Sequence, residues 1–408
     1  MTDTEVTIIG GGVHGTHLAM RLLNAGIVNR ERLRICEPNG LLANLRQQCQ
    51  QCGMTEFRSP LVHHIATDPF SLRAFARERD RTDELIPTDT GGDRPTVSLF
   101  FDHADWVCRQ HDLASLVEPT RATAIADHGN HVCIETSGGQ HTAQWCLLAV
   151  GHRQLNRPAW AEELPLSAPV DHVWDPEFDP DEIGSTAAVG IVGGGITAAK
   201  LAMTLTKPGR EVRLFARSPF RIEPREASTD WMHFSRVVDR FHELPPASRE
   251  RAERIAEARY SGTLPPHVFS RLRRAIEEGQ VELDQTEITV ASEAGGTIVI
   301  NCRNGIAHCL DRIVCATGFR SPYEGPLFAQ IREETPLEVG YRNAPLLDDQ
   351  TLRWRRRDDT LSRVAVSGAA AQQVLGPFSR NIIGARRAGD CIIEEALSIA
   401  LSPEDGRR

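Results

Sequence analysis

The chain has 408 residues, 40% apolar and 25% charged. That length corresponds to two or three domains with more than one core, and the composition excludes a disordered or fibrous protein. A net charge of −9 disfavours nonspecific nucleic-acid binding, and no apolar run approaches the roughly 18 residues of a membrane span.

In chain order, an apolar strand enters a glycine cluster at Ile8–Met20, IIGGGVHGTHLAM. So few residues precede it that no signal or transit peptide is expected, and the expected compartment is the cytoplasm. Gly10-x-Gly12-x-x-Gly15 stands between this strand and an apolar-periodic helix. Glycine there allows a tight turn, backbone approach to a pyrophosphate and close helix–sheet packing. The next strand, RLRICEP, ends in Glu37, about 20 residues past Gly12, where a carboxylate accepts ribose hydroxyls; this favours a dinucleotide with a free 2′-OH, FAD or NAD. Cys49-Gln50-Gln51-Cys52 follows and reads either as a redox pair or as buried, incidental thiols. No second CxxC or HxxxH accompanies it, so no metal site is expected. The remaining cysteines, often within apolar runs, suit reduced thiols. His63-His64 reads as a polar turn between two helices.

The strand WCLLAVGHRQLNRP turns near Gly151, and Pro165–Gly184 is rich in proline and acids and reads as a connection. Ile191–Met203, IVGGGITAAKLAM, then repeats the first motif as Gly193-x-Gly195-x-x-Ala198. Its second strand ends in Arg217, with Arg221 four residues on and no acid between. Guanidiniums there can fork onto a 2′-phosphate, which predicts NADPH over NADH, although either arginine could be an ordinary surface residue. Residues 225–280 show helical spacing with Arg/Glu pairs, and 281–300 alternates like a strand pair. RIVCATGFR closes at Ala316-Thr317-Gly318; Arg353–Arg357 reads as a solvated loop, and Ser379–Leu401 as one closing helix. The repeat predicts an α/β protein with two Rossmann-like dinucleotide-binding domains and two bound nucleotides. Neither lysine, Lys200 nor Lys207, is placed like a nucleophile, and no Ser/His/Asp triad or paired carboxylates stand out, so the sequence names no catalytic residue.

The order of these motifs resembles the two-dinucleotide flavoproteins, most closely the class B flavin monooxygenases and nearest to the ornithine/lysine N-hydroxylase-like group. Val170-Asp171-His172-Val173-Trp174 lies where that class carries a His-containing fingerprint, without the full FxGxxxHxxxW pattern, and Ala316-Thr317-Gly318 matches its ATG motif. Gly53–Phe75 is similar to the N-hydroxylase stretch that lines the flavin; Arg58 comes nearest to the lysine that grips the substrate carboxylate there. Val366–Ala369 and Gly376–Asn381 resemble the strand and helix start that close over the isoalloxazine.

The resemblance implies an FAD-binding domain in two parts, residues 1–165 and 319–408, around an NADPH-binding domain with a helical insert at 166–318. It implies cofactor contacts at Gly10, Gly12, Gly15, Glu37 and Gly151, at Gly193, Gly195, Ala198, Arg217, Arg221, Thr317 and Gly318, and at Gly368 and Gly376. It further implies that NADPH reduces FAD and that a flavin C4a-hydroperoxide, formed with molecular oxygen, transfers one oxygen atom to a nucleophilic, amine-like small molecule. The competing readings are an NADPH-dependent flavin or dithiol reductase using Cys49 and Cys52, and a nucleotide-binding sensor without turnover. No nucleic-acid or membrane partner is expected, and the oligomeric state is left open.

Overall fold

The structure, a computed structural model, describes residues 3–88 and 92–401. Residues 1, 2, 89–91 and 402–408, which the first and last of the three expected segments include, lie outside the described residues. The first half builds β1 (Thr4–Ile9), α1 (Val13–Asn24), β2 (Leu33–Cys36), α2 (Ala43–Gln51), β3 (Val117–Glu118) and β4 (Gly139–Leu148). There follow β5 (Val170–His172), β6 (Ala188–Val192), α3 (Ile196–Leu205), β7 (Glu211–Phe215), α4 (Arg249–Ala258), α5 (Pro266–Glu277), β8 (Glu282–Asp284) and β9 (Arg312–Cys315). The chain closes with β10 (Arg353–Arg355), β11 (Leu361–Val366) and α6 (Ile382–Leu401).

Two largely parallel sheets organise these elements. The first runs β10-β11-β4-β1-β2-β3, parallel from β11 to β3, with β10 antiparallel to β11 at one edge and an antiparallel extension from Ala122–Asp127 and Val132–Thr136 beside β4. The second runs β8-β7-β6-β9-β5, parallel throughout. Their central strands, β1 and β6, are largely buried because helices or loops cover both faces of a parallel sheet. Ile8 pairs with Ile35 and Leu147, and Ile191 with Leu214 and Val314; both isoleucines are fully buried. The internal repeat is thus a repeat of sheet position as well as of sequence. The mixed α/β class and the two Rossmann-like units agree with the sequence reading.

Four local expectations are corrected. Arg353–Arg357 is no solvated loop: its first three residues form an edge strand, and the Arg-Trp-Arg alternation turns Trp354 fully into the core. The acidic connection after Pro165 contains β5, which adds an edge to the second sheet. Residues 281–300 do not form one strand pair: β8 joins the parallel sheet, while Ile288–Ala294 and Thr297–Cys302 combine with Ala307–Leu310 as an antiparallel triplet. His63-His64 lie, as expected, in the turn-rich connection between the helices Ala43–Gln51 and Ser71–Glu78, but His64 is buried there, with Nε2 bonded to the Pro69 carbonyl. The helical region 225–280 is interrupted by Thr263–Leu264, which pairs with Arg221–Ile222. The closing helix is present.

Two buried cations tie the units together. Arg251, fully buried, forks onto Asp349 with both contacts at 2.6 Å and also donates to the carbonyls of Leu244 and Gln373. Lys200 on α3 meets Glu56 of the first unit at 2.9 Å, with both side chains nearly inaccessible.

Burial also leaves histidines uncharged in the first unit. It holds His14, His17 and His64 down to about 4 and His103 down to about 3, against about 6.5 in an unfolded chain. The unfolded chain therefore binds more protons below about 6.5, so this contribution to stability is complete above that pH and declines as pH falls towards 4. The expected outcome is a denaturant midpoint that drops steadily between pH 7 and pH 4, with a shallower drop in His103→Gln; equal slopes in wild type and variant would contradict the burial of a neutral His103.

Candidate functional site

Each glycine motif sits where its parallel sheet presents strand C-termini, the place where open α/β sheets bind ligands. Gly10 has φ +107°, and a Cβ on it would lie 2.5 Å from the Ala149 carbonyl oxygen; Gly193, with φ +157°, would put one 2.6 Å from that of Ala316. The two turns are therefore pressed in the same way against the strand that precedes Gly151 and the strand that precedes Gly318. Gly15 packs so tightly that a Cβ would meet the Gly10 oxygen at 1.8 Å, whereas Ala198 already places its methyl beside Gly193. Helices α1 and α3 both begin without a side-chain cap, which leaves first-turn amides available to an anion.

Gly12 differs from its neighbours. Its φ is an ordinary −70°, and a Cβ there would touch nothing within 4 Å. The protein's own packing does not require glycine at this point; a phosphate close to the backbone would. This open cradle at an uncapped helix fits a dinucleotide. Glu37 is buried beside it, with Oε2 accepting from Gly11 N at 2.9 Å and Oε1 from Asn39 N at 3.1 Å, so its carboxylate fixes the turn it follows. Gly368, φ +83°, closes in from the last strand: the His14 ring is 3.7 Å from where its Cβ would be, and His14 Nδ1 lies 2.7 Å from Ser367 Oγ. The first motif and the strand end before α6 are thus adjacent, while Gly376, φ +79°, packs near Val237. His14 was not singled out in the sequence, where only its place inside the glycine motif marks it.

The second motif opens onto a cleft of about 1180 Å³. Gly193, Gly195, Arg217, Arg221, Thr317 and Gly318 all line it, whereas Ala198 is buried behind the turn. Arg217 is exposed just past β7 and forms no ion pair among the described residues. Arg221 lies over the Tyr260 ring, 3.9 Å from its centroid, and 3.8 Å from Glu223. Asn156 links the loops after β4 and β9: its N–H donates to the Gly318 oxygen at 2.9 Å and its amide to the Thr317 oxygen at 3.2 Å, while the Thr317 hydroxyl donates to the Asn156 carbonyl. Gly151, φ +65°, begins the first of these loops. His172 is buried, accepts from Trp174 N at 3.1 Å through Nδ1, and is held down to about 4 by burial. A neutral imidazole that accepts at Nδ1 carries its hydrogen on Nε2.

Three candidate residues are poorly placed for the roles considered for them. Arg58 reaches the cleft wall, but its guanidinium donates to Pro224 O at 2.8 Å, Glu223 O at 2.9 Å and Thr263 Oγ1 at 2.9 Å. Its main effect is to pin the 223–226 segment. Cys49 and Cys52 are free, buried thiols; burial pushes Cys49 up to about 12 and Cys52 up to about 11. Thiols so far from ionised make poor nucleophiles. Among the described residues no group of three or more His, Cys, Asp or Glu side chains could hold a metal, and no helix is long and apolar enough to cross a membrane.

Comparison with known proteins agrees with this geometry. Residues 7–153 match a family of FAD-NAD(P)-binding proteins. No curated protein sequence matches the chain. Among solved structures it is similar to an ornithine N-hydroxylase from Kutzneria sp. 744, in complex with reduced FAD, NADP+ and L-ornithine, at TM-score 0.77 and 17% identity over 98% of this chain and 100% of that one. An L-lysine 6-monooxygenase from Pseudomonas syringae gives TM-score 0.73 at 18% identity, with 97% and 100% covered. A bacillithiol disulfide reductase from Bacillus cereus gives 0.61 at 15%, with 97% and 99% covered. The likeness establishes the fold over the whole chain: two dinucleotide-binding units arranged as in flavin-dependent amine monooxygenases.

The open cradle at Gly12 yields a direct test. Gly12→Val should fold, since no protein atom lies within 4 Å of where its Cβ would be, yet purify without FAD because the valine fills the space a pyrophosphate needs. Absorbance of the purified variant near the flavin bands reads this out; full FAD occupancy would place the pyrophosphate elsewhere.

Proposed function

We propose that the chain is an FAD- and NADPH-dependent monooxygenase that transfers one atom of molecular oxygen to a nucleophilic, amine-like small molecule. The observation that carries this reading is the pairing of two glycine turns, one beside the Gly368 strand and one opening onto the large cleft, in a fold shared end to end with amine N-hydroxylases. Supporting it, the more distant likeness is to a disulfide reductase, and the one CxxC pair is buried with both thiols far from ionised. The oxygenase reading is therefore favoured over a dithiol reductase.

FAD and NADPH, when bound, supply hydride transfer and oxygen activation; the chain's residues bind, orient and shield. Gly10, Gly12 and Gly15 with the α1 amides hold the FAD pyrophosphate, Glu37 orders that turn, and Gly151, Gly368 and Gly376 shape the remaining wall. Gly193, Gly195 and Ala198 serve the NADPH pyrophosphate, Arg217 and Arg221 the 2′-phosphate, and Thr317 and Gly318 the far end of the cleft. His172, neutral and buried, stiffens the loop next to Thr317 without offering a charge. The FAD domain comprises residues 1–165 and 319–408, and the NADPH domain 166–318. Ten free cysteines fit a reducing compartment, the cytoplasm.

The decisive experiment reduces the FAD-loaded protein with NADPH under anaerobic conditions and mixes it rapidly with oxygen. An oxygenase returns oxidised-flavin absorbance after a delay, in more than one phase; immediate single-phase return overturns this reading in favour of a reductase or oxidase. For coenzyme choice, a charge-assisted contact contributes roughly 1.5–3 kcal/mol, and 1.4 kcal/mol is about tenfold in affinity. Arg217→Ala should therefore raise the NADPH KM about ten- to a hundredfold and leave NADH nearly unchanged, with the Arg217→Ala/Arg221→Ala double variant the more complete loss. Equal losses with both coenzymes would make Arg217 structural.

A further inference from the structure

Two short stretches, 221–227 and 259–264, run side by side past the cleft. Arg221–Ile222 pairs with Thr263–Leu264, and Glu223 N donates to the Leu264 carbonyl at 2.9 Å. Further along, Tyr260 N donates to the Glu226 carbonyl at 2.8 Å, and Ala227 bridges to Arg259. The chain between the two stretches, which includes α4, packs against the segment that leads into α6: Trp231, Phe241 and Ile255 share a core with Phe378 and Ile383. The paired stretches therefore form a strap with the second unit at one end and the last segment of the first unit at the other.

Each end of the strap meets a different glycine turn. Gly262, with φ +62°, has its Cα 3.6 Å from where a Gly195 Cβ would be, and its own Cβ would lie 3.6 Å from the Gly194 oxygen. Arg221 lies over the Tyr260 ring. A dinucleotide whose pyrophosphate enters between these backbones and whose 2′-phosphate reaches Arg221 touches both strands of the strap. At the opposite end, Glu226 accepts the Asn381 side-chain amide, and Arg259 Nη1 donates to the Pro377 carbonyl at 2.9 Å. Both bonds are charge-assisted and so stronger than neutral ones. Pro377 and Asn381 belong to the turn that starts α6, whose backbone at Arg380 and Asn381 the His14 ring of the first glycine motif meets.

We propose that this strap couples the two nucleotide sites: a coenzyme at the second glycine turn orders residues 259–263, and Glu226 and Arg259, as positioning residues, pass that order to the turn that walls the FAD site. Each nucleotide is then held more tightly when the other is bound, because the cost of ordering the strap is met once for both. Linkage makes the factor the same in either direction. The inference takes FAD at the first turn and NADPH at the second from the reading above, and it does not depend on oxygen transfer.

The test measures FAD affinity of the full-length, FAD-loaded chain from free-flavin fluorescence over a dilution series. The probe is 2′-phospho-ADP-ribose, which carries the pyrophosphate and the 2′-phosphate but has no nicotinamide to touch the flavin. Its own binding is followed by the fluorescence of Trp160 and Trp174, which line the cleft. At saturation the probe should tighten FAD binding in wild type about tenfold, within the usual range for coupled sites. In Glu226→Ala and in Arg259→Gln most of that tightening should vanish, while probe binding and thermal midpoint stay close to wild type. The two variants cut the strap on opposite strands, so misfolding of one leaves the other to decide. FAD affinity that ignores the bound probe overturns the proposal, as does tightening with NADP+ alone, which would be direct contact between nicotinamide and flavin. Full tightening retained in a folded variant also overturns it. A chain that binds no FAD or no probe refutes the two-nucleotide reading and the strap with it, whereas binding of both without mutual effect refutes the strap alone.

Discussion

The arrangement of the two units depends on a carboxylate buried between them. Glu56 leaves the first unit shortly after α2 and meets Lys200 of α3 at 2.9 Å, Arg271 of α5, and His267 at 3.6 Å. Burial alone would favour its neutral form, but hydrogen bonds from Thr55 and Lys200 prevail and hold it down to about 2. Such a pair adds little net stability, because desolvating two charges offsets most of their attraction. What it sets is position, since the charges are satisfied in one docking geometry. The surrounding contacts follow suit: Cys52 packs in the second unit's core, Gly53 fits against Thr204, and Gln51 donates to the carbonyls of Asp175 and Phe178.

From that docking the cleft acquires its walls. The loops after β4 and β9 run alongside one another through Asn156, Thr317 and the Leu155–Phe319 bridge. Each unit's glycine turn is thereby placed relative to the other by backbone contacts. The insert is tied down separately: buried Arg251 joins α4 to Asp349, and Arg259 at the end of α4 reaches the Pro377 carbonyl. These are the contacts that bring guanidiniums from distant stretches into one cavity. The two thiols near α2 take part as packing atoms in this docking, which explains an otherwise suggestive CxxC spacing without redox chemistry.

The sequence by itself determined the fold class and the two Rossmann-like units, because a strand, a glycine turn and a helix lie close together along the chain, Thr4–Asn24 and Ala188–Leu205, and the tight fit of Gly15 against the Gly10 oxygen is local, whereas the carbonyls that crowd Gly10 and Gly193 belong to Ala149 and Ala316, far along the chain. It also carried the closing helix, whose apolar spacing is again a property of neighbours along the chain. Only the tertiary structure decided the rest. Arg353–Arg357 looked like a charged surface run until Trp354 found a core to enter, and the acidic connection hid a strand that exists only because β9 offers an edge. Arg58 had the right chemistry for a ligand, but carbonyls from residues 223 and 224 claim its donors, and no local pattern reveals contacts across more than 160 residues of chain. Arg380 and Arg259 lie over 120 residues apart, so their meeting in one cleft comes from packing alone.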